Sequence, residues 1–192
     1  MKKIMQIIVS IIALTVLAPG HAKEVGTQSD LDCLARNIYH EAGNESIEGK
    51  VAVGLVTINR SNSGRFPDSI CGVVNQSTTR SIPREVTQTR TVTEGKFFKK
   101  THKVTETVTV WTKQTICQFS WRCEGNKRVK DDWRWAESLQ VAKDLLSGGY
   151  QELRIKYYDA MYFHQRSIRP LWAHQKRLVE KVGGHIFYAD LL

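Results

Sequence analysis

"SDLDCLARNIYHEAGNESIEGKVAVGLVTINRS" occupies residues 29–61, and its reading decides the fold. Leu31, Leu34 and Ile38 recur at helical spacing and give residues 29–43 one apolar face. Ser29 is placed to cap that helix, with Asp32 three residues on as a variant of the capping box. Gly43 suits the position just past its end. Ser46 then caps a second helix over 47–61, in which Ile47, Val51, Leu55 and Ile58 keep the helical period. The run VAVGLV (51–56) also fits a buried strand, but the recurrence of Lys50, Gly54 and Thr57 favours helix. Three glutamates, Glu41, Glu45 and Glu48, fall within eight residues around the junction. A solvated helix end accounts for such a cluster. So does a catalytic acid at the lip of a cleft. Glu41 lies in the last turn, where the partial negative charge of the helix terminus opposes a carboxylate. Beside apolar neighbours its pKa is expected to rise, which suits a proton donor at neutral pH.

Beyond this pair, "SNSGRFP" (61–67) is a loop, and Pro67 suits the first turn of a short helix through Val74. Residues 76–116 change character, with 12 threonines and eight Lys/Arg against three Glu. "VTQTRTVTE" (86–94) and "KVTETVTVWT" (103–112) alternate with period two around "GKFFKKTH", the pattern of a β-hairpin arm. Such an arm is either a basic finger that grips an anionic polymer or partner, or a surface insertion with solubilising charge. "DDWRWAESLQVAKDLLSGG" (131–149) predicts a helix capped by Asp131 or Asp132 and stopped by Gly148-Gly149. Its expected core face is Ala136, Leu139, Ala142, Leu145 and Leu146. "AMYFH" (160–164) and "HIFYA" (185–189) predict short strands on either side of a connecting segment. No internal repeat is present. The fold class is α+β: a helix-rich domain with short strands and an inserted basic hairpin.

Residues 1–22 have the features of a secretory signal. Lys2 and Lys3 precede an apolar run over 4–18, and Gly20 and Ala22 hold the small-residue positions before a cleavage point after Ala22. A membrane helix needs roughly 20 apolar residues, so no stable span is expected once the signal is removed. Residues 23–192 then form one domain with a sizeable core. Its formal charge is +7, from +9 for the chain less the two signal lysines. Such a balance favours polyanions, and export argues against nucleic acid as the partner. Periplasmic or secreted localisation follows. Cys33, Cys71, Cys117 and Cys123 form an even set, which in an exported chain predicts two disulfides, with three connectivities open.

Several chemistries fit poorly. Ser120 has no G-x-S-x-G turn around it. The cysteines are committed to disulfides. His164, His174 and His185 lack metal-ligand spacing, so neither a metal nor another cofactor is expected. Carboxylate acid–base work remains. Glycoside cleavage requires one acid and usually a second carboxylate. It also needs groups that hold a sugar ring, and Tyr39, Gln118, Phe119, Trp121, Tyr162, Phe163, Trp172, Phe187 and Tyr188 are candidates.

The blocks "LDCLARNIYHEAGNESIEGKVAVGLVTINR", "GRFPDSICGVVNQ", "CQFSWRCEG", "DAMYFH", "RPLW" and "VGGHIFYADLL" together resemble the cell-wall hydrolases of the SleB/CwlJ type. The resemblance covers nearly all of 23–192 outside the arm. It implies a lysozyme-like catalytic domain that cleaves the β-1,4 link between N-acetylmuramic acid and N-acetylglucosamine in peptidoglycan glycan strands. It implies lytic transglycosylase chemistry, in which one Glu acts as acid and then base while the muramyl 6-hydroxyl closes an anhydro ring. Plain hydrolysis by Glu41 and a second carboxylate is the first alternative. A non-catalytic wall-binding or phage structural protein is the second. On the matching positions Glu41 is the acid and Glu45 a second site carboxylate, while Glu48 reads as a helix-start residue. Gln118, Ser120 and Trp121 would line the cleft, with Tyr39, His164, His185 and Tyr188 as further substrate contacts. Asn59 and Arg60 would brace the second helix. The family commonly has Ala-Arg-Gly-Glu where this chain has Ala42-Gly43-Asn44-Glu45, and the arm is longer than the usual link. Each disulfide is expected to join one early cysteine to one late one.

Overall fold

The computed structural model describes residues 27–125 and 127–191, so the signal segment lies outside the described residues. Helix α1 spans Gln28–Ala42 and is capped by Thr27, whose hydroxyl accepts the Asp30 N–H at 3.2 Å. Ser29, the expected cap, sits two residues too far in. Gly43 follows with φ −57°, a right-handed residue rather than the expected left-handed stop. The chain therefore continues tightly, and the Glu45 N–H reaches the Ala42 carbonyl at 2.9 Å. Ser46 caps helix α2, Ile47–Asn62, by accepting the Gly49 N–H.

Val51 through Thr57 of α2 are all buried, so VAVGLV is a helix enclosed on every side. A helix apolar all round belongs at the centre of a core, which is why it resembles a buried strand in sequence. Helix α3 (Ile70–Val74) is capped by Ser69, so Pro67 lies before the helix and not in its first turn. After the arm, α4 (Trp133–Leu146) starts at Asp132. It buries Ser138, Val141, Ala142 and Leu145. Ala136 is exposed, against the expected face. The true stripe runs 138, 141, 142, 145, and a small serine fills the place where an apolar residue was sought. Helix α5 (Gln151–Lys156) follows.

Strands β1 (Ser77–Glu94) and β2 (Lys100–Cys117) form the arm as one antiparallel ladder. Each strand is longer than its alternating core suggests. The register places Ile82, Val86, Val92, Val104, Val108 and Val110 on one face, and Thr79, Thr87, Thr89, Thr105, Thr107 and Thr115 on the other. Both strands are edges, so Pro83 costs no ladder in a third strand. Strands β3 (Tyr162–Gln165), β4 (Arg177–Val182) and β5 (His185–Ala189) form a second antiparallel sheet in the order β3-β5-β4. The sequence reading missed α5 and β4. No helix among the described residues is long and apolar enough to cross a membrane.

The core joins Leu34 and Ile38 of α1, the valines of α2 and Val73 of α3 to Leu145 of α4 and Phe187 of β5. Polar groups lock it. Trp121 Nε1 donates to Asn37 Oδ1 at 3.1 Å, and Asn37 Nδ2 donates to Thr57 Oγ1 at 3.0 Å. Asn59 Nδ2 donates to the carbonyls of Tyr157 (2.8 Å) and Ala160 (3.0 Å), tying α2 to the approach of β3.

The disulfides correct the expected pairing. Cys33 bonds Cys71, and Cys117 bonds Cys123. Helices α1 and α3 pack side by side and bring Cys33 and Cys71 to a Cα separation of 5.3 Å. The chain leaving β2 turns back through a 3₁₀ turn at Ser120–Arg122, so Cys117 meets its neighbour before any early cysteine. A loop this short closes at little entropic gain. Replacing Cys117 and Cys123 with serine is expected to cost only about 2 kcal/mol in chemical denaturation.

Candidate active site

The end of α1 and the link to α2 form one wall of a recess of about 580 Å³. Tyr39, His40, Glu41, Asn44 and Glu45 line that wall. Arg134 of α4 and Gln165, Arg166, Ser167, Gly184 and His185 of the sheet region complete the lining. The tight passage from α1 to α2 is what places two carboxyls on one rim.

Glu41 is half-buried there, and its pKa is pushed up to about 7. Burial is the main cause, and the Glu124 carboxylate adds to it, while Arg60 and Lys127 oppose both. Burial among apolar neighbours is one of the two causes that the sequence suggested, beside the field of the helix terminus. Arg60 is buried behind the recess, its Nε donating to the Met161 carbonyl at 2.7 Å. Burial lowers the Arg60 pKa to about 10, against the opposing influence of Tyr162 and Glu41. Arg60 therefore both braces α2, as expected, and acts electrostatically on Glu41.

Glu45 is held by one hydrogen bond and faces a buried imidazole. Its Oε2 accepts the Gly184 N–H at 3.0 Å, and its Oε1 lies 3.9 Å from Nδ1 of His185. Gly183 turns β4 into β5 with φ +54°, and a Cβ there would overlap the Glu45 carboxylate. Glycine is required at 183 both for its backbone and for this close approach. His185 is 3% exposed, and burial lowers its pKa despite the opposing charge of Glu45, so the ring is neutral at neutral pH. Beneath the turn, Lys50 is fully buried. Its Nζ donates to the Glu45 carbonyl at 2.8 Å and pairs with Glu137.

Tyr39, Glu41, Glu45 and His185 thus share one recess. His164 and Tyr188 line an adjoining one of about 540 Å³, with Arg166 common to both. Their rings stack, and His164 Nε2 lies 3.0 Å from the Tyr188 hydroxyl.

Gln118, Ser120 and Trp121, expected along the cleft, are not part of the lining of this recess. Gln118 is exposed and lines a separate recess at the base of the hairpin. Ser120 is exposed, and its hydroxyl bonds Glu124, the carboxylate that acts on Glu41. Trp121 is buried, donates to Asn37, and stacks on His40 at 4.3 Å, so it supports the recess from behind. Glu48 is also outside the site, bonded to Lys156 and Tyr157. Arg134, Gln165, Arg166, Ser167 and Gly184 went unread in the sequence. Only the glycine pair before HIFYA carried any local signal of a turn.

A model of the cell wall hydrolase family matches residues 44–188. The chain belongs to the cell wall hydrolase family. Glu45 lies within the matched segment, and Glu41 lies three residues before it. The chain is 46% identical over 48 residues to a spore cortex-lytic enzyme of Oceanobacillus iheyensis. It is 44% identical over 48 residues to a protein of the same name in Bacillus subtilis. Each match takes in 25% of this chain but only 17% and 16% of those relatives. Among solved structures, the catalytic domain of the germination-specific lytic transglycosylase SleB from Bacillus anthracis is similar in fold, with TM-score 0.52 and 19% identity. That likeness covers 85% of this chain and 96% of the other. The catalytic domain of the Bacillus cereus SleB protein matches with TM-score 0.53, covering 88% of this chain and 99% of that one.

Proposed function

We propose that this cell wall hydrolase cleaves the β-1,4 bond between N-acetylmuramic acid and N-acetylglucosamine in peptidoglycan, with Glu41 as the general acid. The observation that carries the reading is a carboxyl raised to about 7 by burial on the wall of an open recess. At neutral pH it holds a proton for much of the time and retains a route to a glycan strand. Glu41 delivers that proton to the bridging oxygen, and the leaving N-acetylglucosamine departs. The resulting carboxylate then draws the proton from the muramyl 6-hydroxyl, which closes on C1 as an anhydro ring. Glu45, fixed by the Gly184 N–H, supplies the negative charge that steadies the oxocarbenium-like sugar between these steps. Tyr39 and Arg134, stacked with the guanidinium 5.5 Å from the ring, offer one face to the sugar.

Export fits this reading. Two disulfides suit an oxidising compartment, and the substrate lies outside the cytoplasm. Mass spectrometry of purified sacculi digested with the protein tests the chemistry. Anhydro-muramyl ends are expected; reducing muramyl ends would replace the ring closure with attack by water. A wild-type protein that releases no glycan would return the chain to the wall-binding alternative.

The position of Glu45 gives a second test. Gly183→Ala drives a methyl group into its carboxylate and strains the turn, so Glu45 must move. A displacement near 1 Å costs on the order of a hundredfold in rate. Steady-state assays on soluble glycan strands should show the loss in kcat, with the melting temperature lowered only modestly.

A further inference from the structure

The far end of the hairpin belongs to none of the chemistry above. The ladder runs from Ser77↔Cys117 out to Glu94↔Lys100. At the usual rise per residue such an arm reaches roughly 60 Å from the body. At its tip Phe97 is 93% exposed and Phe98 92% exposed. Gly95 makes the turn at φ +108°, and a Cβ there would collide with the Phe98 carbonyl. The turn is therefore built tight, with both rings left in water. Lys96, Lys99 and Lys100 stand in the turn and its last rung, and Lys103 three rungs back opposite Thr91. The acids nearby are Glu94, opposite Lys100 in the ladder, and Glu106, paired with Arg90 at 3.2 Å.

We propose that this tip docks the protein on a bilayer of anionic phospholipid. Two adjacent phenylalanines kept in water lose free energy that only an apolar environment returns. The other apolar residues of the hairpin, such as Ile82, Trp111 and Ile116, lie far down the ladder from the tip, and among the described residues nothing covers the two rings. A lysine collar around an aromatic point matches a membrane interface, where rings enter the headgroup boundary and cations meet phosphates. A polyol-phosphate wall polymer would satisfy the lysines and offer two adjacent rings little apolar surface. The apolar content of the tip therefore decides for lipid. The arm docks without spanning, and its length leaves the catalytic recess free to face the wall.

Co-sedimentation with vesicles tests this, using phosphatidylcholine alone and phosphatidylcholine mixed with phosphatidylglycerol. Wild type should bind the anionic vesicles about tenfold more tightly or better, and high salt should weaken that binding. Phe97→Ser/Phe98→Ser should lower anionic-vesicle binding by about tenfold or more, with an unchanged melting temperature. No vesicle binding by wild type would overturn the proposal. Equal binding by the double variant would overturn it as well. Binding to purified sacculi in place of vesicles would reassign the tip to a wall polymer. Each readout stands whether or not Glu41 is the acid.

Discussion

Glu41→Gln is expected to lower glycan cleavage by about a thousandfold, the worth of a well-placed general acid. Gln keeps the shape and can no longer give up or retrieve a proton. Release of soluble muropeptides from sacculi measures the loss. The wild-type pH profile carries the same signature. Activity that depends on protonated Glu41 falls as pH rises through about 7. The stability effect runs in the same direction. Folded Glu41 titrates near 7 against a reference of 4.5, so the native state holds this proton more tightly than the unfolded chain. Stability is full below about 4.5, declines as pH climbs to about 7, and is flat beyond. The loss amounts to roughly 2 to 3 kcal/mol, the partial exposure of the carboxyl favouring the lower figure. Glu41→Gln should remove that slope and be the more stable protein at pH 8. An unchanged slope in urea titrations at pH 5 and pH 8 would show that Glu41 does not titrate as described.

Lys50→Ala should be the most damaging substitution away from the carboxyls, at about 4 kcal/mol. The side chain is fully buried, so truncation leaves a cavity under α2. It also strips the Glu45 carbonyl of its donor and releases Glu137. Lys50→Met refills most of the volume and isolates the polar share, expected at about 2 kcal/mol. Both variants loosen the turn that carries Glu45, so both should lose activity at temperatures where they remain folded. Urea denaturation with a parallel muropeptide assay separates the two effects. A Lys50→Ala protein as stable as wild type would mean that the turn is held by other contacts.

Much of this was legible in residues 29–61. Helical spacing and Ser46 placed α1 and α2, and the short link between them set Glu41 and Glu45 on a common rim. Period-two alternation located the arm, and HIFYA marked β5 to the residue. These are local signals, carried by neighbours within a turn or a strand. Strand β4 escaped because its pattern is broken by a bulge between Leu178 and Glu180. In the QFSW block spacing cannot show which way an indole points, and Trp121 points inward to Asn37.

By itself the sequence determined the two helices, the arm, the even cysteine set and the acid nominated at 41. Tertiary structure alone decided the disulfide pairing, the inward turn of Trp121, the clasp of Gly183 and Gly184 on Glu45, and the burial of Lys50 beneath it. The physical reason is separation along the chain. Gly184 lies 139 residues from Glu45, and Glu137 lies 87 from Lys50. Contacts at such distances leave no period in the sequence, because packing chooses them only after the local elements exist.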